Sequence, residues 1–531
     1  MITRSALSRT RRLTPEQCGR ISVIDAAYGL GLSVPSPGAP LDETLTRILR
    51  SPCEALKCVC LAWLAATGTY PLRSQAEHVA SLLKHDRIDL ALRALADAMI
   101  EVGDPARSRT LLAASSVQID VTSVSRETKV TGIPRTVINL VRGAGGDSGP
   151  HVWSHGALAS VTLTPDGEFE FDPATWAGEY AGRRPYGVLR RWYHGLRRRS
   201  RASTFARLTY WVVEVLARPF LAALGSGSGP RSCLLLHGGT VVLPEVCQGD
   251  VADRLLTWRR CVGGFRLIVL VHDLLPVLQP QWFSRSHVGD FVAYVPVVVG
   301  ADRVVTTTVR TAREVVALAA LHCRPVPEVA VAALPVTAGT WTALPAEETI
   351  LPRFTAVGTI EPRKNNDTAL RACIALAQGQ FPVRLSLVGG THLMPDSTKD
   401  LIDLARREGV VVDLARGLDD DHLRGLLESS VASLFLSWAE GYGLPVLESL
   451  ACGTPVICSA VEPLLGFADV GGIEYVDPTD HLAVAARMRE LITNEPRRLR
   501  LTESIEASRI PTDLGAWAAH VVGIQNEAAA P

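Results

Sequence analysis

Twice along this chain, short apolar runs alternate with stretches of helical periodicity. A Pro/Thr/Ala/Gly-rich segment, about Leu334 to Pro352, separates the two series. Few patterns restrict a fold more. Strands that alternate with helices build a parallel sheet with helices on both faces. The first series holds Val117–Val121, Leu234–Leu236, Leu267–Val271 and Val304–Thr307. Thr311-Ala-Arg-Glu314 has the spacing of a capping box and is expected to open a helix after the last of these. The second series alternates strands Phe354–Val357, Arg384–Val388, Val410–Val412, Ala432–Leu436 and Val456–Ile457 with helices Asp367–Leu376, Ser397–Glu408, Asp420–Glu428 and Pro445–Cys452. The expected fold class is α/β, with two doubly wound domains whose strand C-terminal ends face a cleft. Ligands of open α/β sheets bind at those ends.

Residues 1 to about 113 read differently. Ala55–Leu64 and Arg87–Ile100 carry apolar positions at helical spacing, with Pro35–Pro40 and Pro71 as punctuation. This block is expected to be a helical module of unknown role. At 531 residues the chain is too long for one core, and 47% apolar with 20% charged residues excludes a disordered chain. Basic and acidic side chains number 54 each, which argues against a nucleic acid or any partner held by overall charge. Five lysines (57, 84, 129, 364 and 399) stand against 49 arginines, so a lysine carries more information than an arginine.

The eleven cysteines show no repeated CxxC and no accompanying His cluster. Cys53, Cys58 and Cys60 lie in an apolar, helix-like stretch, and the set reads as buried free thiols of a reducing compartment. The arginine-rich first twenty residues lead into no apolar core of a secretory signal. No run of about 18 apolar residues is present. Phe291–Ala301 is too short and contains Pro296. The expected location is the cytoplasm. Arg183–Arg207 holds nine arginines and no acid, with Val188, Leu189, Trp192, Tyr193 and Leu196 on one helical face. Two readings stay open for it: peripheral contact with an anionic membrane, or a solvated helix packed on the sheet.

The sharpest signal is Ser437-Trp-Ala-Glu440-Gly-Tyr-Gly443-Leu-Pro445-Val-Leu-Glu448-Ser-Leu-Ala-Cys-Gly453. A buried strand ends near Ser437. Gly441 and Gly443 free the backbone, Pro445 suits a first helical turn, and Gly453 suits a helix end. The helix N-terminus at the loop favours an anionic or polar group. A second signal is Gly358-Thr-Ile-Glu-Pro-Arg363-Lys364-Asn365, between a strand and a helix. A glycine turn with two fixed cations suits a diphosphate leaving group, on which charge builds as a bond breaks. Helix starts disfavour cations, so the pair reads as uncompensated and implies an absent anion. Asp419-Asp-Asp421 has DxD spacing but reads as an acidic helix cap. Leu267–Val271 runs into His272-Asp273-Leu-Leu-Pro276, which places an imidazole at a strand's C-terminal end.

The 437–455 segment closely resembles the motif of two glutamates eight residues apart in retaining glycosyltransferases of family 4, which have the GT-B fold. The Arg-Lys pair, the His-Asp segment and Thr131-Gly132-Ile133-Pro-Arg135 are similar to further parts of that family, nearest to bacterial polysaccharide mannosyltransferases. The resemblance, which covers about residues 117–525 and leaves the helical module at 1–113 unexplained, implies a GT-B N-terminal (acceptor) domain at 114–335, a C-terminal donor domain at 336–510, and a C-terminal helix at 511–531 that returns to the N-terminal domain. It implies that Glu440 sits beside the donor sugar and that Glu448 binds the ribose. Gly441, Tyr442, Gly443 and Leu444 would contact the donor, with Gly358, Arg363 and Lys364 at its diphosphate. His272 would approach the sugar and the acceptor, and Gly132, Ile133 and Arg135 would face the acceptor. The implied activity is retaining transfer of a sugar, with mannose favoured, from a nucleotide-diphosphate sugar to a hydroxyl of a glycan or lipid-linked acceptor, without a metal or other cofactor. A GT-B epimerase and a non-catalytic binding protein are the alternatives.

Overall fold

The computed structural model describes residues 12–32, 36–102, 110–113, 117–126, 133–145, 148–154, 157–171, 176–177, 229–230, 232–247, 249–336 and 351–523. Gly132, the Arg183–Arg207 stretch and most of the expected linker lie outside the described residues. The chain packs as two units, Met1–Val269 and Leu270–Pro531.

The first unit begins with helices α1 (Pro15–Tyr28), α2 (Leu41–Leu49), α3 (Ala55–Thr67), α4 (Arg73–Lys84) and α5 (Ile88–Val102). Cys58 through Thr67 of α3 are buried without a break, as expected of a helix surrounded by others. The C-terminal carbonyls of α3 are covered by a cation from α1. Fully buried Arg20 donates to Ala65 O and Ala66 O, matching guanidinium charge to the negative helix end. The module is joined to the sheet through Tyr70. Its hydroxyl donates to Leu234 O and accepts from Leu236 N, and its ring lies edge-on to Trp153 and Trp258.

In this unit β1 (Thr110–Ala113) pairs in parallel with β5 (Ser232–Leu235) as a separate two-stranded sheet. β2 (Val117–Asp120) lies between β3 (Ser148–Ser154) and β6 (Thr240–Leu243), again in parallel, and Arg266–Val269 of β7 (Arg266–Val271) pairs with β6. β4 (Ala157–Ser160) is antiparallel to β3. Only two residues join them, too few for a parallel crossover. Helices α6 (Ile133–Gly143) and α7 (Gly249–Cys261) also belong to this unit.

The second unit continues with α8 (Arg285–Val299), β8 (Arg303–Thr306), α9 (Val309–Leu321) and β9 (Glu328–Val331), and β8 and β9 pair in parallel. The cap of α9 falls earlier than expected. Thr308, not Thr311, is the N-cap and accepts from Thr311 N, while Glu314 pairs with Arg310 at 2.9 Å inside the helix. The strand ends at Thr306, so Thr308 is the first hydroxyl able to receive a free helix N–H. No helix among the described residues is long and apolar enough to cross a membrane.

A six-stranded parallel sheet follows. Its elements are β10 (Arg353–Val357), α10 (Asn366–Gln378), β11 (Arg384–Val388), α11 (Asp396–Arg407), β12 (Val411–Ala415), α12 (Asp420–Glu428), β13 (Ala432–Phe435), α13 (Leu444–Ala451), β14 (Val456–Ser459) and β15 (Ile473–Val476). The spatial order is β12-β11-β10-β13-β14-β15. Phe354, Leu385 and Leu434 of these strands share one buried core with Leu370 of α10 and Met488 of the later helix α14 (His481–Thr493). The strand order reverses between β10 and β13. In doubly wound sheets that switch point opens a crevice at the strand C-termini. Asp419 caps α12, accepting from His422 N at 2.9 Å, so the DxD triplet serves as a helix cap. The last helix, α16 (Leu514–Val522), follows α15 (Glu495–Glu503) and returns to β8, where Arg303 donates to His520 O.

Candidate active site

The switch point is where the two sequence signals meet. β10 ends at Val357 and leads through Gly358 into a 3₁₀ turn, Pro362–Lys364. β13 ends at Phe435 and leads to Glu440. A backbone bond from Trp438 N to Arg363 O (2.9 Å) ties the two loops together. Lys364 Nζ then lies 2.7 Å from Glu440 Oε1, and an Arg363 guanidinium nitrogen lies 3.1 Å from Oε2. Arg363 also pairs with Glu361 at 2.7 Å and donates to Ala439 O at 2.7 Å. The cations are therefore compensated, contrary to the expectation from the local sequence. Their partners come from Glu361 two residues away and from Glu440 across the switch point.

Aromatic faces complete the cationic environment. Lys364 Nζ sits 4.9 Å from the ring centre of Phe435, and the Arg363 guanidinium 6.0 Å from that of Phe283. Glu440 is only 7% exposed. Burial works to raise its pKa, but Lys364 and then Arg363 outweigh it and hold the carboxyl below the ordinary carboxylate range. Arg363 responds in the opposite sense. Burial would lower its pKa, and Glu440 and Glu361 carry it upward.

Asn365 positions this pair. It adopts the left-handed conformation, φ 52°, between the 3₁₀ turn and α10. Its amide nitrogen donates to Leu436 O (3.0 Å) and Pro478 O (2.9 Å), and its oxygen accepts from Thr368 (2.9 Å). It thus ties the chain just beyond β13 and β15 to the start of α10. Asn365→Ala is expected to cost about 2–4 kcal/mol, from two orphaned carbonyls and a left-handed alanine. Asn365→Gly should recover the backbone part. Urea denaturation of the two variants separates these contributions; equal losses would remove the backbone share.

The loop after Glu440 is fitted from two sides. Gly443, at φ +100°, is the N-cap of α13, with Pro445 in the first turn. Gly441 is needed for space: a Cβ there would stand 2.5 Å from Asp273 Oδ2. Tyr442 is buried, donates to Leu334 O and packs edge-on to Phe467, so its ring is committed to packing. Leu444 opens α13, and Glu448 lies half-buried on the second turn. His272 stands near the end of β7, ring half-buried, and its carbonyl accepts from Thr307. Asp273 Oδ1 accepts from Leu275 N at 2.9 Å, and burial pushes its carboxyl up.

The second unit therefore brings Gly358, Arg363, Lys364, Glu440 and Gly441 together, with Asp273 against the same loop. Ile133, 45% exposed, and half-buried Arg135 open α6 of the first unit. Sequence reasoning passed over Glu361, Asn365, Asp273 and Phe283. The first three stood within the quoted motifs, and a carboxylate two residues from Arg363 was a usable signal.

Residues 346–507 match the family described as Glycosyl transferases group 1. The O-antigen chain mannosyltransferase B of Escherichia coli is 32% identical over 145 residues, which cover 27% of this chain and 37% of that protein. The serotype-specific mannosyltransferase WbdA of Escherichia coli is 29% identical over 214 residues, 37% of this chain and 26% of that protein. The chain spans well under two thirds of the curated relatives it matches. Among solved structures, sucrose-phosphate synthase from Thermosynechococcus elongatus superposes with a TM-score of 0.46 at 17% identity, over 77% of this chain and 94% of that one. The family match covers the span that holds Arg363, Lys364, Glu440 and Glu448.

Proposed function

We propose that the chain is a retaining glycosyltransferase of family 4 type, moving a hexosyl group, with mannose favoured, from a nucleoside-diphosphate sugar to a hydroxyl of a glycan or lipid-linked acceptor in the cytoplasm. One observation carries this reading. Two cations and a buried carboxylate converge at the switch point of a doubly wound sheet, inside the span that matches a glycosyl-transfer family.

The chemistry follows from that geometry. An arriving diphosphate competes with Glu440 for Lys364 and Arg363. Once those cations turn to the phosphates, Glu440 is released toward the sugar, where it supports the positive charge that develops at the anomeric carbon. The glycosidic C–O bond breaks as the acceptor oxygen approaches on the same face, and a leaving phosphate oxygen takes the acceptor proton. Glu448 accepts from the ribose hydroxyls, Gly441 to Leu444 line the sugar, and His272 orients sugar or acceptor. Gly132, Ile133 and Arg135 are assigned to the acceptor. Arg363 and Lys364 supply the charge that a metal supplies in other transferases, so no metal enters the scheme.

A panel of nucleoside-diphosphate sugars, read by thermal shift and by nucleoside diphosphate release with and without EDTA, tests the reading. GDP-mannose is expected to stabilise the protein and to be turned over equally in both conditions. Absence of stabilisation by every nucleoside diphosphate would overturn the donor site.

A further inference from the structure

The start of α3 brings two thiols together. Glu54 is the N-cap of α3, so Cys53 stands one residue before the cap and Cys58 at the fourth helical position. Side chains at those two positions meet at helix starts, where an apolar pair fixes the angle at which the chain enters. Here both are cysteines, with sulfurs 2.7 Å apart. Cys58 is buried, and its thiol faces the carbonyls of Ser51 and Cys53. Cys53 is partly exposed. The neighbouring thiol on α3, Cys60, is engaged elsewhere, in a hydrogen bond with Cys261 at the end of α7. Among the described residues Cys53 supplies the sulfur within reach of Cys58, and its partial exposure opens it to small molecules.

We propose that Cys53 and Cys58 form a thiol-oxidation site that closes to a disulfide when the protein meets a small-molecule disulfide such as glutathione disulfide. Cys53 is the attacking thiol because it is the accessible one. Burial, with the adjacent sulfur, holds Cys58 well above the ordinary thiol range and keeps it protonated. The Cys53 thiolate attacks one sulfur of glutathione disulfide. A mixed disulfide forms, and the released glutathione thiolate takes up the proton that Cys53 lost. Cys58 then attacks the Cys53 sulfur, its proton passing to the second glutathione as that leaves. Two protein thiols are oxidised to one disulfide, and one glutathione disulfide is reduced to two thiols. The bridge staples the loop before α3 to its first turn. Because α3 is the buried centre of the helical module, the module acquires an oxidant-dependent clamp at its core helix.

The full chain supplies the test. The protein is equilibrated with oxidised glutathione, remaining thiols are blocked with N-ethylmaleimide, and trypsin is added without reductant. Cleavage after Arg50, Lys57 and Arg73 puts Cys53 on peptide 51–57 and both Cys58 and Cys60 on peptide 58–73. The expected product is one species containing both peptides, with fragmentation placing the link on Cys58. It should persist in Cys60→Ser and vanish in Cys53→Ser or after reduction. Recovery of the two peptides separately, each blocked by maleimide, overturns the proposal. So does a link from 51–57 to any other peptide, or a link whose fragmentation falls on Cys60.

Discussion

Lys364→Ala is expected to lower donor turnover by about 10³-fold, the upper range for removing one preorganised charge partner of a developing anion. In the free protein the same substitution leaves buried Glu440 with Arg363 as its remaining ion-pair partner. Glu440→Ala removes the shared partner of both cations and is expected to cost about 3–5 kcal/mol of stability, because breaking a buried pair leaves charge uncompensated. The double variant Lys364→Ala/Glu440→Gln separates the two effects. With both charges of the pair gone, stability should return close to wild type while turnover stays low. A double variant as unstable as Glu440→Ala would show that the pair is not what holds this loop. The pH dependence has a definite sign. Glu440 has a depressed folded pKa, so its stabilisation is present above the unfolded carboxylate value, about pH 4.3. It is lost as pH falls through the lower folded value. The stability gap between wild type and Glu440→Gln should therefore be constant from neutral pH to about 5 and shrink only below the ordinary carboxylate range. Thermal unfolding across that range measures it.

Much of the second unit was legible because its elements obey local rules. Arg384–Val388 and Asp420–Glu428 have the boundaries their apolar periodicity implies, and Pro445 and Gly453 bracket α13 through backbone preferences that need no tertiary partner. The Arg363–Lys364 pair was legible as a site for the same reason: two cations beside a glycine turn at a strand end. Its compensation was not legible. Glu440 reaches Lys364 only because the strand order reverses between β10 and β13, and a linear reading of the helix start sees cations without partners. Thr308 displaced Thr311 as the cap because strand β8 stops at Thr306, a boundary one residue short of the expected end. The cysteines illustrate the same limit. Cys53 and Cys58 have no spacing signature, and their contact follows from where α3 begins.

Gly441→Ala is expected to lower turnover by about 10²-fold, the order associated with a displacement of about 1 Å in a reacting constellation. The cause is space rather than backbone conformation, since Gly441 does not require the left-handed region that Gly443 occupies. An added Cβ would meet Asp273 Oδ2 at 2.5 Å and the Asp273 Cβ at 2.9 Å. Asp273 is held by its bond from Leu275 N, and the loop is held beyond Gly441 by the bond from Tyr442 to Leu334 O. Neither side yields freely, so the displacement passes to Glu440 and to the first turn of α13. The partner substitutions give a graded check. In an Asp273→Gly background both clashing atoms are gone, and Gly441→Ala should then change turnover little. In an Asp273→Ala background the 2.9 Å contact remains, and Gly441→Ala should retain part of its effect. Asp273→Gly lowers activity on its own through the lost bond to Leu275 N, so the informative quantity is the ratio of rates with and without Gly441→Ala in each background. Equal ratios in all three backgrounds would show that Asp273 is not what confines this position to glycine.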